Sequence, residues 1–281
     1  MKIKVAKSAG FCFGVKRAIE LALQAARTKK NVQMLGDIVH NEDVVKQMKY
    51  AGIEKIKTLS KGKGKTLVIR AHGACADIYK KAQKLGYDII DATCPMVKEI
   101  HHIGKEMEEK GYDVIIIGDK KHAEVIGIKG HLKHNPLVID DKNNIPLKTI
   151  GKMQKVCILV QSTQNIDKVR LIVEILKKHI RNVTFFNTIC GPTRQKQSEI
   201  KRLPKESDVM IIIGSKTSAN TKRLYKISKS VNQNTYWVQS AKDLKRVWFK
   251  DMHNVGITAG ASTPDYTTQK IIQSIKKITR S

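Results

Sequence analysis

A repetition constrains this chain more than any single residue does. Three segments share one spacing without gaps: Met34-Leu35-Gly36-Asp37-Ile38-Val39-His40-Asn41-Glu42, Ile116-Ile117-Gly118-Asp119-Lys120-Lys121-His122-Ala123-Glu124 and Ile212-Ile213-Gly214-Ser215-Lys216-Thr217-Ser218-Ala219-Asn220. In that register His40, His122 and Ser218 coincide, as do Glu42, Glu124 and Asn220. Each segment starts as a β-branched run, ends in small or polar residues, and leads into a stretch with helical periodicity. A second set of strands ends in Arg70-Ala71-His72-Gly73, Gln161-Ser162-Thr163 and Ala259-Gly260-Ala261-Ser262. A third ends in cysteine, at Ser8-Ala9-Gly10-Phe11-Cys12, Asp91-Ala92-Thr93-Cys94 and Asn187-Thr188-Ile189-Cys190. Three similar small α/β domains around a pseudo-three-fold axis account for this pattern. Their expected bounds are 13–94, 95–190 and 191–281, with the N-terminal strand in 1–12 completing the third. Alternating strands and helices predict small, largely parallel sheets covered by helices, with ligands at the carboxyl ends of the strands. All nine polar clusters fall at such ends, so one central pocket lined from three sides is expected. Strand-end loops of any α/β protein carry Gly, Ser and His, but that does not explain the register across the three segments.

Bulk properties narrow the function classes. The 281 residues are 41% apolar, enough for a real core, and the longest apolar runs are far too short to cross a bilayer. After Met1-Lys2-Ile3-Lys4-Val5 the chain turns polar, so no signal peptide is read and a cytoplasmic location is expected. Five cysteines exclude a complete disulfide framework and leave metal binding or catalysis as the functional options. The net charge of +28 invites a nucleic-acid reading. Its lysines, however, are spread along the chain, and the one local run, residues 55–65, has no interleaved aromatic residue. An anionic substrate and acidic partners explain the charge more simply.

The cysteines divide by context. Cys157 lies in the apolar run Val156-Cys157-Ile158-Leu159-Val160 and reads as core, and Cys75 reads as a small residue at a helix start. Cys12, Cys94 and Cys190 sit in loops marked by Gly or Pro, and none has the paired spacing of a zinc ribbon. Three thiolates from distant points can hold a 4Fe-4S cluster with one iron free of cysteine, which suits a catalytic cluster better than an electron-transfer one. His40, His72, Ser218, Asn220 and Ser262 offer donors for an anionic substrate, several of them ahead of helix N-termini. There is no Walker-type phosphate loop. Glu124, the one carboxylate at its register position in the last two segments, can deliver a proton beside the metal. His101, His102, His131, His134, His179 and His253 lack a partner motif and read as surface or satisfied structural residues. Two other classes stay open on these residues: a basic nucleic-acid-binding iron–sulfur protein without catalysis, and a zinc-dependent hydrolase using Cys and His ligands.

The motifs Gly10-Phe11-Cys12-Phe13-Gly14-Val15, Val39-His40-Asn41, Ala71-His72-Gly73, Asp91-Ala92-Thr93-Cys94-Pro95, His122-Ala123-Glu124-Val125, Thr188-Ile189-Cys190, Gly214-Ser215-Lys216 through Asn220, and Thr258 through Asp265 span nearly the whole chain. In this order they resemble the 4-hydroxy-3-methylbut-2-enyl diphosphate reductases, which catalyse the last step of the methylerythritol phosphate route to isoprenoids. The resemblance implies a trefoil of three α/β domains around a 4Fe-4S cluster. It implies removal of the allylic hydroxyl of a small diphosphate substrate by two electrons and protons, giving isopentenyl and dimethylallyl diphosphates. Cys12, Cys94 and Cys190 match the cluster ligands. His40, His72, Ser218, Asn220 and Ser262 match residues that hold the diphosphate, His122 a substrate-side histidine, and Glu124 the proton-delivering acid. Ser162 stands where the family usually has threonine near the substrate hydroxyl, keeping the hydroxyl but losing the methyl that fixes its rotamer. Ala219 replaces the second of a serine pair before Asn220, removing one donor side chain, and the stretch Cys190-Gly191-Pro192-Thr193 departs from the commoner small-residue version. With no flavin or nicotinamide motif, an acidic one-electron donor such as a ferredoxin or flavodoxin is the expected partner.

Overall fold

The computed structural model describes residues 1–279. In chain order it runs β1 (Lys2–Val5), α1 (Phe13–Thr28), β2 (Val32–Leu35), α2 (Glu42–Tyr50), β3 (Glu54–Ile56), β4 (Thr66–Ile69), α3 (Ala76–Lys84) and β5 (Asp88–Asp91). There follow α4 (Pro95–Glu109), β6 (Asp113–Ile117), α5 (Ala123–Lys129), β7 (Leu137–Ile139), α6 (Leu147–Ile150), β8 (Lys155–Val160), α7 (Ile166–His179) and β9 (Asn182–Phe185). The chain ends with α8 (Gly191–Arg202), β10 (Val209–Ile213), α9 (Ala219–Val231), β11 (Thr235–Val238), β12 (Asn254–Ala259) and α10 (Asp265–Ile278). None of the described helices is long and apolar enough to cross a membrane.

Among the described residues the strands form three four-stranded, wholly parallel sheets, ordered β3-β2-β4-β5, β7-β6-β8-β9 and β11-β10-β12-β1. Each follows the same route. The chain enters a central strand, steps to one edge, then crosses to the second central strand and ends on the far edge. The last sheet takes its far edge from the N-terminus, where β1 pairs with β12. The direction of winding therefore reverses between β2 and β4, β6 and β8, and β10 and β12, the place where open α/β sheets bind ligands.

Packing divides the chain into two compact units, one of Met1–Lys16, Val39–Gln47 and the described residues from Gly191 onward, the other of Arg17–Ile38 and Met48–Cys190. In the first, Ile211, Ile213, Val255 and Ile257 pack on one face against Ile271 and Ile275 of α10, while Met210 and Ile212 pack on the other with Ile200 and Leu224. In the second, Ile115, Ile117, Ile158 and Val160 meet Ile172 and Leu176 of α7, and Ile116 and Leu159 meet Ile100 and Ile128. Strands covered on both faces must be apolar at every position, which is why β6 and β10 read as unbroken runs rather than alternating ones. Where β2, β6 and β10 end, a glycine amide closes each onto its edge neighbour: Gly36 to Ile56 O at 3.2 Å, Gly118 to Ile139 O at 3.0 Å and Gly214 to Val238 O at 2.9 Å.

The first repeat departs by one residue from the gapless register. His122 caps α5 by accepting from Glu124 N, and Ser218 caps α9 by accepting from Thr221 N. The corresponding cap of α2 is Asn41, whose Oδ1 accepts from Asp43 N at 3.0 Å and Val44 N at 3.1 Å. Asn is a better cap than His because its short side-chain oxygen reaches the first-turn amides. The helix therefore starts one residue later, and His40 lies just outside it.

Two histidines, His101 and His131, depart from the surface or satisfied reading, each with a buried ring nitrogen that has no hydrogen-bond partner among the described residues. His102, His134, His179 and His253 are exposed, but His101 lies on the buried stripe of α4 with Val97, Ile100 and Gly104. Its ring stacks on His131 with centroids 4.1 Å apart, and its Nε2 has no hydrogen-bond partner among the described residues. Burial, then the neighbouring His131, pushes its pKa down from 6.5 to about 3. The unfolded chain thus binds one more proton than the folded one between those values, so stability falls as pH drops through that window, by about 1.4 kcal/mol per pH unit from this group. His101→Phe is expected to flatten the acid-side fall of the urea-unfolding free energy between about pH 6 and pH 4. An unchanged slope would contradict the assignment.

Candidate functional site

The three loop cysteines occupy equivalent places. Each follows an edge strand (β1, β5 or β9) and immediately precedes a helix of twelve or more residues, α1, α4 or α8. Each backbone amide donates to the carbonyl two residues past the neighbouring inner strand: Cys12 to Ala261 O at 3.1 Å, Cys94 to Ala71 O at 3.0 Å and Cys190 to Ser162 O at 3.0 Å. All three are half-buried and free of disulfides. A cysteine at a helix N-terminus faces the positive end of the helix dipole, a position that suits a ligand set of negative charge. Cys157 is different: wholly buried in β8, its thiol is pushed up to about 12 by burial. Cys75 also caps a helix, α3, but its counterparts ahead of α7 and α10 are Asn165 and Pro264, so it belongs to no threefold set. The donor chemistry of Cys12, Cys94 and Cys190 fits an iron–sulfur cluster, and neither remaining cysteine offers a matching position.

Behind Cys94 stands a polar brace. Thr93 Oγ1 donates to Asp91 Oδ1 at 2.5 Å, Lys98 pairs with Asp91 Oδ2 at 2.6 Å, and Tyr79 Oη reaches Thr93 Oγ1 at 3.2 Å. Arg17 Nη1 donates to Thr93 O at 3.2 Å. Burial drives the Tyr79 hydroxyl to about 12, keeping it protonated and able to donate. For Asp91 burial opposes ionisation, but the Lys98 and Thr93 hydrogen bonds outweigh it and lower the pKa. The sequence reading missed this brace. Its signal was Asp91 and Thr93 within the Asp-Ala-Thr-Cys motif, since a Thr two residues after an Asp can close a side-chain turn.

In the same unit, five of the expected site residues form one connected path. Glu124, 1% exposed, accepts from Ser162 N through Oε1 at 2.6 Å and from Ser162 Oγ through Oε2 at 2.8 Å. Ser162 O in turn receives the Cys190 amide. The Glu124 amide donates to His122 Nδ1 at 3.2 Å, so neutral His122 carries its ring proton on Nε2. The His122 and His72 rings meet edge-on with centroids 5.3 Å apart. A buried carboxyl costs several kcal/mol unless hydrogen-bonded, and here the loop after β8 supplies two donors to it. Serine at position 162 thus keeps the hydroxyl that the carboxyl requires.

The other unit carries hydrogen-bond donors. Ser218 Oγ accepts from Thr221 N as the cap of α9, which leaves its own proton to be donated. Asn220 is 6% exposed, and its Nδ2 has no partner among the described residues. A buried amide N–H₂ without an acceptor is costly and suits an anion that would supply one. Ser262 Oγ donates to His40 O at 3.1 Å, so it ties the loop after β12 to the residue before the α2 cap. Gly214, at φ +148°, ends β10, and a Cβ there would lie 2.7 Å from Thr221 Oγ1, a contact only glycine avoids. Ala219 opens α9 and offers only its backbone amide, while Thr193 is buried in α8.

Known proteins match this chain along its whole length. The family model described as LytB protein matches residues 3–276. A relative from Caldanaerobacter subterraneus subsp. tengcongensis, named 4-hydroxy-3-methylbut-2-enyl diphosphate reductase, is 39% identical over 288 residues, covering 99% of this chain and 98% of the relative. The chain belongs to the LytB family of 4-hydroxy-3-methylbut-2-enyl diphosphate reductases. Two solved structures share the LytB fold. One is described as (E)-4-hydroxy-3-methyl-but-2-enyl diphosphate reductase, the terminal enzyme of the non-mevalonate pathway, with a TM-score of 0.73 and 38% identity over 99% of this chain and all of that one. The other is the E-1-hydroxy-2-methyl-but-2-enyl-4-diphosphate reductase from Plasmodium falciparum, with a TM-score of 0.87 and 30% identity over 96% of this chain and 86% of that one. LytB membership makes the chain an oxidoreductase of isoprenoid biosynthesis.

Proposed function

We propose that the chain reduces (E)-4-hydroxy-3-methylbut-2-enyl diphosphate to isopentenyl and dimethylallyl diphosphates, using a 4Fe-4S cluster held by Cys12, Cys94 and Cys190. The buried Glu124–Ser162 pair carries this reading, because a carboxyl held at both oxygens by a backbone amide and a hydroxyl has a proton-transfer partner within hydrogen-bond reach. The balance is simple. Two electrons and two protons enter, one carbon–oxygen bond breaks, a carbon–hydrogen bond forms, and the hydroxyl leaves as water. When bound, the cluster supplies the electrons and a Lewis-acidic iron. Glu124 holds the proton that the departing hydroxyl needs, and Ser162 Oγ, bonded to it, orients that carboxyl or relays its proton. His122 presents its Nε2 proton from the cap of α5, with His72 against its edge. Ser218, Asn220, Ser262 and His40 hold the diphosphate, helped by the first-turn amides of α9. The three ranges 13–94, 95–190 and 191–281 with 1–12 each enclose one sheet, which supports reading them as three domains. The charge of +28 supports recruitment of an acidic one-electron donor such as a ferredoxin or flavodoxin.

Serine at position 12, 94 or 190 is expected to strip or damage the cluster, because an alkoxide replaces a soft thiolate poorly. Cys157→Ala is expected to keep its iron; iron lost from Cys157→Ala and kept in Cys94→Ser would reverse the ligand assignment. Turnover with a protein donor is expected to fall as salt rises, and turnover with a small chemical reductant to fall less. Equal salt dependence would remove the docking argument. Glu124→Gln keeps the shape: its carbonyl can accept from Ser162 N and its amide donate to Ser162 Oγ, but it has no proton to give up. Iron content and much of the substrate affinity should survive, with turnover down roughly a hundred- to ten-thousand-fold. Near-parental turnover would assign the proton to another group, His122 or the substrate diphosphate.

A further inference from the structure

Lys196 is 2% exposed, on α8, six residues past Cys190. Its Nζ donates to three main-chain carbonyls: Ser8 O, Gly10 O at 3.0 Å and Ala259 O at 3.1 Å. An ammonium has three N–H donors, so these carbonyls match them all. One turn further along α8, Glu199 accepts from Ser8 N at 3.0 Å and Ser8 Oγ at 2.7 Å. The helix therefore grips the 8–10 turn with two side chains. The turn needs holding. Gly10 sits at φ +96° with Asp265 Oδ1 where a Cβ would point, so the chain bends sharply two residues before Cys12. The carbonyls that the bend turns inward would be buried without donor partners if Lys196 were absent, at a cost of about 1–3 kcal/mol each.

We propose that Lys196 is a positioning residue for the metal centre: its buried ammonium locks the turn that presents Cys12, and its positive charge beside that turn raises the reduction potential of the cluster. This rests on reading Cys12 as a cluster ligand. A cluster with three thiolates carries net negative charge, and a nearby buried cation favours the added electron. Lys196 belongs to neither the repeat nor the strand-end pattern, because it lies mid-helix.

The test uses the full-length chain with Lys196→Met, which keeps the stem and removes donors and charge, and Lys196→Arg, which keeps both. In the metal-free protein, hydrogen exchange of the Cys12 amide should accelerate about tenfold or more in the Met variant, the loss expected for a charge-assisted hydrogen bond, while the Cys94 and Cys190 amides stay protected. Lys196→Arg should recover most of that protection. In the iron-loaded protein, the Met variant should show a more negative midpoint potential, restored toward the parental value by Arg. Should the Met variant not fold, Lys196→Gln, which keeps a donor without the charge, is expected to protect Cys12 partly and still shift the potential downward. Unchanged Cys12 exchange, equal loss of protection at all three cysteines, or a parental potential in the uncharged variants would each overturn the proposal. Full iron in Cys12→Ser would instead remove the ligand reading, and exchange in the metal-free chain would still decide whether Lys196 holds the turn.

Discussion

Three main-chain hydrogen bonds, from Cys12 to Ala261, Cys94 to Ala71 and Cys190 to Ser162, set where each sheet stops and where its chemistry begins. A parallel ladder ends by leaving amides and carbonyls without strand partners, and these groups must be paired elsewhere. Here each cysteine amide, three to seven residues past its edge strand, makes one further pairing with the loop that follows the inner strand. The thiol-bearing residue is thereby fixed against the loop that follows an inner strand, and that loop carries Ser262, His72 or Ser162's own neighbours. Loop and cysteine cannot move separately without breaking the bond. Rigid placement of this kind is what a metal ligand and a proton donor both require.

The same economy appears in the carboxyl. Glu124 is buried, and one residue, Ser162, reaches both of its oxygens, through its amide and its hydroxyl. A group that must alternate between holding and releasing a proton gains from partners that can serve either state, and a hydroxyl can both donate and accept. A lysine or arginine in that place would fix the carboxylate as an anion. A buried positive charge does stand beneath the Cys12 turn, on Lys196.

Much of the fold was legible because inner strands such as β6 and β10 are covered on both faces and must be apolar throughout, while their ends carry Gly36, Gly118 and Gly214. The repeat placed the glycines and helix starts to within a residue. It failed at α2, where the better cap, Asn41, displaced His40 from the position that His122 and Ser218 hold. The Glu124–Ser162 contact was not visible in spacing, since it joins the first turn of α5 to the loop after β8, 38 residues apart in sequence. Lys196 and His101 were missed for one reason: both are polar residues on buried helix faces, and composition gives no sign that a mid-helix lysine or histidine points inward. The pairing of β1 with β12 shows how a chain-terminal strand completes a sheet whose other three strands come from the far end.

Whether the three cysteines hold one cluster is the claim on which the rest stands, and metal analysis of anaerobically purified full-length protein tests it most directly. The account predicts about four irons and a similar amount of acid-labile sulfide per chain, with little zinc and a brown chromophore. Stoichiometric zinc with no sulfide, or a folded and active protein lacking iron, would contradict it.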